Sequence, residues 1–96
     1  MQVNVIIEMI VEICQKYSAD QVILFGSRAK GTALDRSDID IAVSGVKDFE
    51  TMREEVEALS TLFKIDVVNL DICMNEDLLE DIKKYGKKIY QKISVV

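Results

Sequence analysis

Two aspartates separated by a single residue, Asp38 and Asp40, have the type and spacing best suited to chemistry in this sequence. Over residues 38–43 the large apolar residues Ile39, Ile41 and Val43 alternate with Asp38, Asp40 and Ala42, which predicts a strand with both carboxylates on one face and Cα atoms ~6.6 Å apart. Carboxylates at that separation can bind one Mg²⁺, which prefers hard oxygen ligands. Without a cation they repel each other, so their presence favours a metal site. A solvated strand end is the ordinary alternative.

A glycine–serine pair, Gly26 and Ser27, follows the apolar run Gln21–Phe25, which predicts a short strand buried on both faces. A sharp turn at this point presents backbone N–H groups and a hydroxyl to phosphate oxygens, and glycine lets the backbone approach a ligand closely. Arg28 and Lys30 come just afterwards, where a cation could meet a triphosphate. The alternative is an ordinary strand-to-turn junction with solvated basic residues.

A third acid, Asp66, lies within an apolar run over residues 65–70 that predicts another strand. An unpaired buried carboxylate is costly, so Asp66 needs a partner. If this strand lies beside the strand of residues 38–43, Asp66 joins the aspartate pair around metal, where it binds a second ion or accepts a proton from the attacking hydroxyl. Pairing with a lysine such as Lys64 is the alternative.

Helical and strand patterns alternate along the chain, which predicts an α/β domain. Residues 3–17 form the first predicted helix, which is apolar around most of its circumference and is covered by the rest of the domain or by another subunit. Asp48 is expected to cap a second helix. The apolar face of that helix comprises Phe49, Met52, Val56, Leu59 and Phe63.

The last predicted helix begins after the capping residue Asn75, which is followed by two acids. Its apolar face comprises Leu78, Ile82, Tyr85 and Ile89. Gly86 weakens or ends it. The apolar residues Ile93, Val95 and Val96 at the end of the sequence belong either to a frayed end or to a partner surface.

Length and charge narrow the classes of function. The 96 residues fit one domain, 1–96, and the chain has a net charge of −5 and no histidine. An acidic balance disfavours direct nucleic-acid binding, which needs basic residues against phosphates. Without histidine, general bases, triads and metal sites that depend on it are excluded. The remaining candidates for chemistry are carboxylates, hydroxyls, lysines and arginines.

The apolar segments indicate a cytoplasmic protein. Cys14 and Cys73 lie isolated in apolar runs, which is typical of buried free thiols in a reducing compartment. The first apolar run contains acids and has no basic leader, unlike a signal peptide. No apolar stretch approaches the ~18–20 residues of a membrane span, so we expect no membrane partner.

The candidate residues occur in a distinctive order: an apolar strand, Gly-Ser, ten further residues, D-x-D on an alternating strand, and a third acid on a later strand. With its segment GSRAKGTALDRSDIDIAV, residues 26–43, the chain resembles the minimal nucleotidyltransferases of the DNA polymerase β-like superfamily. The resemblance covers nearly the whole chain. It implies the nucleotidyltransferase fold, an α/β (α+β) domain in which helices pack against a small mixed β-sheet.

The resemblance also implies roles for the candidate residues. The glycine–serine pair would hold the β- and γ-phosphates of ATP, with Lys30 directed to the triphosphate and Arg28 either helping or bracing the loop. Asp38, Asp40 and Asp66 would be the catalytic carboxylates and the ligands of Mg²⁺, in a site for two ions. The reaction implied is in-line attack on the α-phosphorus with departure of pyrophosphate.

Minimal nucleotidyltransferases of this kind are commonly paired with a HEPN protein, an RNase toxin. The resemblance therefore implies an antitoxin that transfers AMP from ATP to a tyrosine of a HEPN toxin in a hetero-oligomer. Added AMP brings bulk and negative charge, which would repel RNA from the toxin. A homodimer of the chain stays an open alternative.

Other functions compete with this hypothesis. A non-catalytic, nucleotide-binding antitoxin subunit would mask its partner by contact alone. A small-molecule nucleotidyltransferase, like the aminoglycoside-modifying enzymes, would need an additional substrate-binding domain. A plain structural domain would leave the joint spacing unexplained, and a polymerase is disfavoured by the charge. Tyr85 and Tyr90, both placed in the last predicted helix, raise self-adenylylation, although packing in a core or interface is the simpler assignment.

Overall fold

The computed structural model describes residues 2–35, 37–59 and 63–93. Helices and strands alternate through this part of the chain, which confirms the predicted α/β class. The elements in chain order are α1 Val3–Lys16, β1 Gln21–Phe25, α2 Ser27–Lys30, β2 Ile39–Ser44, α3 Phe49–Glu57, β3 Ile65–Asn69, α4 Glu76–Tyr85 and β4 Lys87–Gln91.

The four strands form one sheet in the order β3-β2-β1-β4. Strand β1 pairs antiparallel with both β2 and β4, whereas β2 and β3 are parallel, so the sheet is mixed as expected. The parallel pair is joined through α3, because parallel neighbours need a long crossover connection. This arrangement places the C-terminal end of β1 and the N-terminal ends of β2 and β3 at one edge of the sheet.

Helices cover both faces of the sheet. On one face α1 and α3 pack on the apolar side of β1, β2 and β3 and build the main core, whose fully buried large side chains include Ile6, Ile10, Ile39, Ile41, Met52 and Val56. On the other face α4 packs through Ile82 against Phe25 and Ala42. The buried side of α1 thus belongs to the core of this chain, the first of the two alternatives for that helix.

One of the two predicted helix caps forms as expected and the other does not. Asn75 caps α4 as expected, because its side chain accepts a hydrogen bond of 3.1 Å from the Leu78 N–H. Asp48 does precede α3, but its side chain makes no capping hydrogen bond and its backbone is left-handed at φ 55°. A capping side chain usually requires extended backbone at the capping residue. The prediction that Asp48 caps α3 through its side chain was therefore wrong, although Asp48 does stand at the start of the helix.

The last predicted helix was too long. Helix α4 ends at Tyr85, and Gly86 takes an extended conformation, φ −63° and ψ 144°. Ile89 and Tyr90 lie instead in β4, which pairs with β1. Lysine and glutamine are good helix formers, so local propensity favoured a helix, while pairing with a distant strand decides the structure. Val95 and Val96 lie outside the described residues.

Two further details concern apolar residues. Leu59 and Phe63 lie beyond the end of α3, although both pack against the main core. Cys14 is buried as predicted, whereas Cys73 is only half-buried.

Within residues 2–35, 37–59 and 63–93, no helix is both long enough and apolar enough to cross a membrane.

Candidate active site

The strand register brings three predicted site residues to the same edge of the sheet. Phe25, the last residue of β1, pairs with Asp40 of β2, and Asp40 pairs in turn with Asp66 of β3. Residues paired across neighbouring strands point to the same face, so the two carboxylates lie side by side. Gly26 follows Phe25 directly and therefore adjoins Asp40.

Gly26 and Asp40 fit each other closely. The backbone of Gly26 has φ 74°, a conformation that favours glycine, and a Cβ at this position would collide with the Asp40 carboxylate. Ser27 then begins the one-turn helix α2, in which the Ala29 and Lys30 N–H groups donate to the Gly26 carbonyl. The turn and the aspartate therefore form one packed unit that a larger residue would disrupt.

The carboxylates are crowded. Burial raises the pKa of the half-buried Asp40 above its ordinary value, and the negative charges of Asp66 and Asp38 raise it further. Asp38 is exposed and directly precedes β2. Lys64 lies 3.8 Å from Asp66, but the two side chains are 71% and 44% exposed, so this ion pair compensates the crowding only in part. Asp66 therefore lies beside Asp40, as the metal-site hypothesis requires, and also near Lys64, as the alternative of a lysine partner requires.

The donor chemistry of this edge suits Mg²⁺, because hard carboxylate oxygens crowd together where a cation would relieve their repulsion. In the part of the chain that the structure describes, however, no three Asp, Glu, Cys or His side chains come close enough to form a ready cluster for a metal ion. The assignment of Asp38, Asp40 and Asp66 as metal ligands stays a prediction.

Arg28 holds the loop between the glycine–serine turn and β2. Its Nε and Nη2 donate to the Ser37 carbonyl at 3.2 and 2.7 Å, and Nη2 also lies 3.4 Å from the Asp35 carbonyl. The guanidinium carbon is 4.9 Å from the centre of the Phe63 ring. These contacts match the bracing role, one of the two roles considered for Arg28.

Lys30 contacts α4. Its Nζ is 2.9 Å from Asp81 Oδ1 and 5.0 Å from the centre of the Tyr85 ring. Asp81 was absent from the predicted site. Asp81 and Tyr85 are four residues apart and so share one face of α4, but their approach to Lys30 depends on how α4 crosses the sheet, which local sequence does not specify.

A glycine–serine turn packed against paired carboxylates, at the edge of a mixed sheet, is the arrangement expected of a nucleotidyltransferase. The chain belongs to the polymerase beta nucleotidyltransferase family, because the model of that family matches residues 8–94. The resemblance seen in the sequence is thereby confirmed. None of the curated proteins compared with the chain matches it.

Solved structures agree with the family and fold. The chain is similar to a crystal structure of a toxin–antitoxin with AMP-PNP, with 25% identity and a TM-score of 0.68, covering 88% of this chain and 73% of that one. A double aspartate-to-glutamate mutant of the toxin–antitoxin MntA-HpeT gives 22% identity and a TM-score of 0.69 over 88% and 73% of the two chains. A tyrosine-to-alanine mutant of MntA-HpeT is 24% identical, with a TM-score of 0.69, and the match covers 88% of this chain and 72% of that one. The last two likenesses show the fold alone.

Proposed function

We propose that this nucleotidyltransferase is a cytoplasmic antitoxin that transfers AMP from ATP to a tyrosine hydroxyl of a HEPN toxin. The observation that carries the transferase chemistry is the packing of the Asp40 carboxylate, paired in register with Asp66, against Gly26. This packing supports the proposal, because the half-buried Asp40 carboxylate lies directly beside the turn to which phosphate binding is assigned here. In this proposal residues 1–96 act as one minimal domain.

In the proposed reaction the chain binds the phosphates, holds the metal ions and accepts a proton. The Gly26–Ser27 turn receives the β- and γ-phosphates, and Lys30 neutralises part of their charge. Asp38, Asp40 and Asp66 would hold two Mg²⁺ ions, which when bound stabilise the charge on the attacking and leaving oxygens. Asp66, whose side chain is partly exposed, is the candidate acceptor of the tyrosine proton.

The proposed transfer of AMP is a single displacement at the α-phosphorus of ATP. The tyrosine oxygen forms a bond to the α-phosphorus of ATP as the bond from that phosphorus to the β-phosphate oxygen breaks. Pyrophosphate leaves, and the tyrosine proton passes to Asp66 or to water. The product is a tyrosine–AMP phosphodiester on the toxin.

The partner is inferred from the similar structures. Three of the similar structures are toxin–antitoxin complexes, and one of these three contains AMP-PNP, an ATP analogue. Within this chain, the exposed apolar residues Leu34, Ile72, Met74 and Ile93 provide surface that a protein partner could cover. Both observations support a toxin partner, and the HEPN identity follows from the sequence resemblance.

The test is a transfer assay with ATP labelled on the α-phosphate, Mg²⁺, and the product of the neighbouring gene. We expect label on that product with the wild-type chain and none with Asp38→Asn or Asp40→Asn, while the exposed loop control Asp35→Asn keeps activity. Mass spectrometry should place the AMP on tyrosine. Absence of label while the two proteins still co-purify would refute catalysis and leave a subunit that masks its partner by contact.

A further inference from the structure

The ion pair between Lys30 and Asp81 is partly shielded from solvent. Its side chains are 36% and 31% exposed, so among the ion pairs of the described residues it is the pair whose two partners are jointly least exposed. The Tyr85 ring adds a second contact, with the Lys30 ammonium 5.0 Å from its centre. Both groups come from one face of α4, so that helix holds the lysine by a carboxylate and an aromatic ring together.

This pairing conflicts with phosphate binding. Lys30 stands three residues after Ser27, at the end of α2, and the proposed function assigns its charge to phosphates on the glycine–serine turn. A triphosphate that approaches the ammonium also approaches the Asp81 carboxylate, which carries the same sign of charge. Asp81 therefore lowers the net attraction of Lys30 for phosphate, and binding must displace the carboxylate or tolerate its repulsion.

We propose that Asp81 tunes the affinity of the site for nucleoside triphosphates by competing with the phosphates for Lys30. The proposal rests on the proposed function, in which Lys30 binds the triphosphate. Asp81 takes no part in the chemistry: it acts through Lys30 as a positioning residue. A nucleotide that lacks the β- and γ-phosphates does not reach Lys30, so Asp81 affects triphosphates and leaves AMP binding unchanged.

Titration calorimetry with AMP-PNP and AMP tests this on the full chain. Because exposed or half-exposed ion pairs contribute little, we expect Asp81→Asn to bind AMP-PNP about 1.4–5-fold more tightly, which corresponds to ~0.2–1 kcal/mol, with AMP binding unchanged. Glu80→Gln removes the same charge from the neighbouring, exposed position of α4 and should leave both affinities as in the wild type. In a Lys30→Ala background, Asp81→Asn should have a much smaller effect on AMP-PNP binding, because only the direct repulsion between the carboxylate and the phosphates is left to remove.

The outcomes separate this proposal from the proposed function. If Lys30→Ala weakens AMP-PNP binding but Asp81→Asn leaves it unchanged or weakens it, the competition is refuted while the role of Lys30 survives. An effect of Asp81→Asn that is undiminished without Lys30, or that Glu80→Gln reproduces, shows a general charge effect and also refutes the competition. AMP-PNP binding that Lys30→Ala does not alter overturns the role of Lys30 and this proposal with it.

Discussion

Replacing Asp40 by asparagine should stabilise the metal-free protein, because it removes one of two carboxylates that neighbouring strands place side by side. Neighbouring strands lie ~4.8 Å apart, so the two charges are separated by roughly 5–6 Å. Their repulsion is ~3 kcal/mol at an effective dielectric constant of 20 and ~0.7 kcal/mol in water. Because Asp40 is only half-buried and solvent screens the pair, we expect a gain of about 1 kcal/mol.

Urea or thermal unfolding in EDTA at neutral pH measures this gain. A change of ~1 kcal/mol shifts the melting temperature of a domain of this size by about 4–8 °C. Asp35→Asn, an exposed aspartate in the loop before β2, is the matched control and should leave the melting temperature unchanged. A melting temperature of Asp40→Asn equal to or below the wild type in EDTA would refute the repulsion argument.

The same experiment has a pH dependence with a definite sign. Because burial and the charges of Asp66 and Asp38 raise the pKa of Asp40, the folded state binds its proton more tightly than the unfolded state does. The contribution of Asp40 to the stability of the wild type therefore falls as the pH rises from the ordinary Asp pKa of ~3.9 through the raised value. The advantage of Asp40→Asn should vanish below that window, and an advantage that is constant with pH would contradict the assigned cause.

Three further predictions concern the turn, its loop and the cysteines. Gly26→Ala should lose transfer and destabilise the fold by about 1–3 kcal/mol in denaturant unfolding, because it combines a positive φ with a collision against Asp40. Arg28→Lys keeps the charge but loses the forked donors, so transfer assays should show a lower kcat with little change in KM for ATP. Burial raises the pKa of Cys14 to about 11, so iodoacetamide should label Cys73 and spare Cys14 in the folded protein, as read by mass spectrometry.

The parts of the fold that sequence predicts well are those with a strong local pattern. Helix α1 has a continuous apolar face, β1 is a short apolar run that ends at glycine, and the start of β2 alternates between aspartate and isoleucine, so each could be bounded within a residue or two. Strand β4 has no such pattern, since two of its five residues are lysines and it is defined by pairing with β1. Its existence depends on a contact distant in sequence.

The site shows the same division between local and distant information. Residue types and their spacing are enough to select the glycine–serine pair and the acids. The proximity of Asp66 to Asp40 depends on the pairing of β3 with β2. The sequence did not show that these two strands are neighbours, so the proximity could be predicted only on the assumption that they are. The contact of Lys30 with Asp81 joins two helices that are distant in sequence. The residues around Lys30 therefore could not predict which side chain its ammonium contacts.

The ten residues between Ser27 and Asp38 are explained by the geometry of the loop. Antiparallel pairing of β1 with β2 must bring Asp40 opposite Phe25, directly before the glycine that makes room for its carboxylate. The intervening chain has to complete the single turn of α2, reverse direction, and return to the same edge. Arg28 closes this loop through the Ser37 carbonyl, which fixes where β2 begins. The spacing is therefore the length of chain over which this loop returns to the turn, while the pairing of β2 with β1 holds Asp40 beside Gly26.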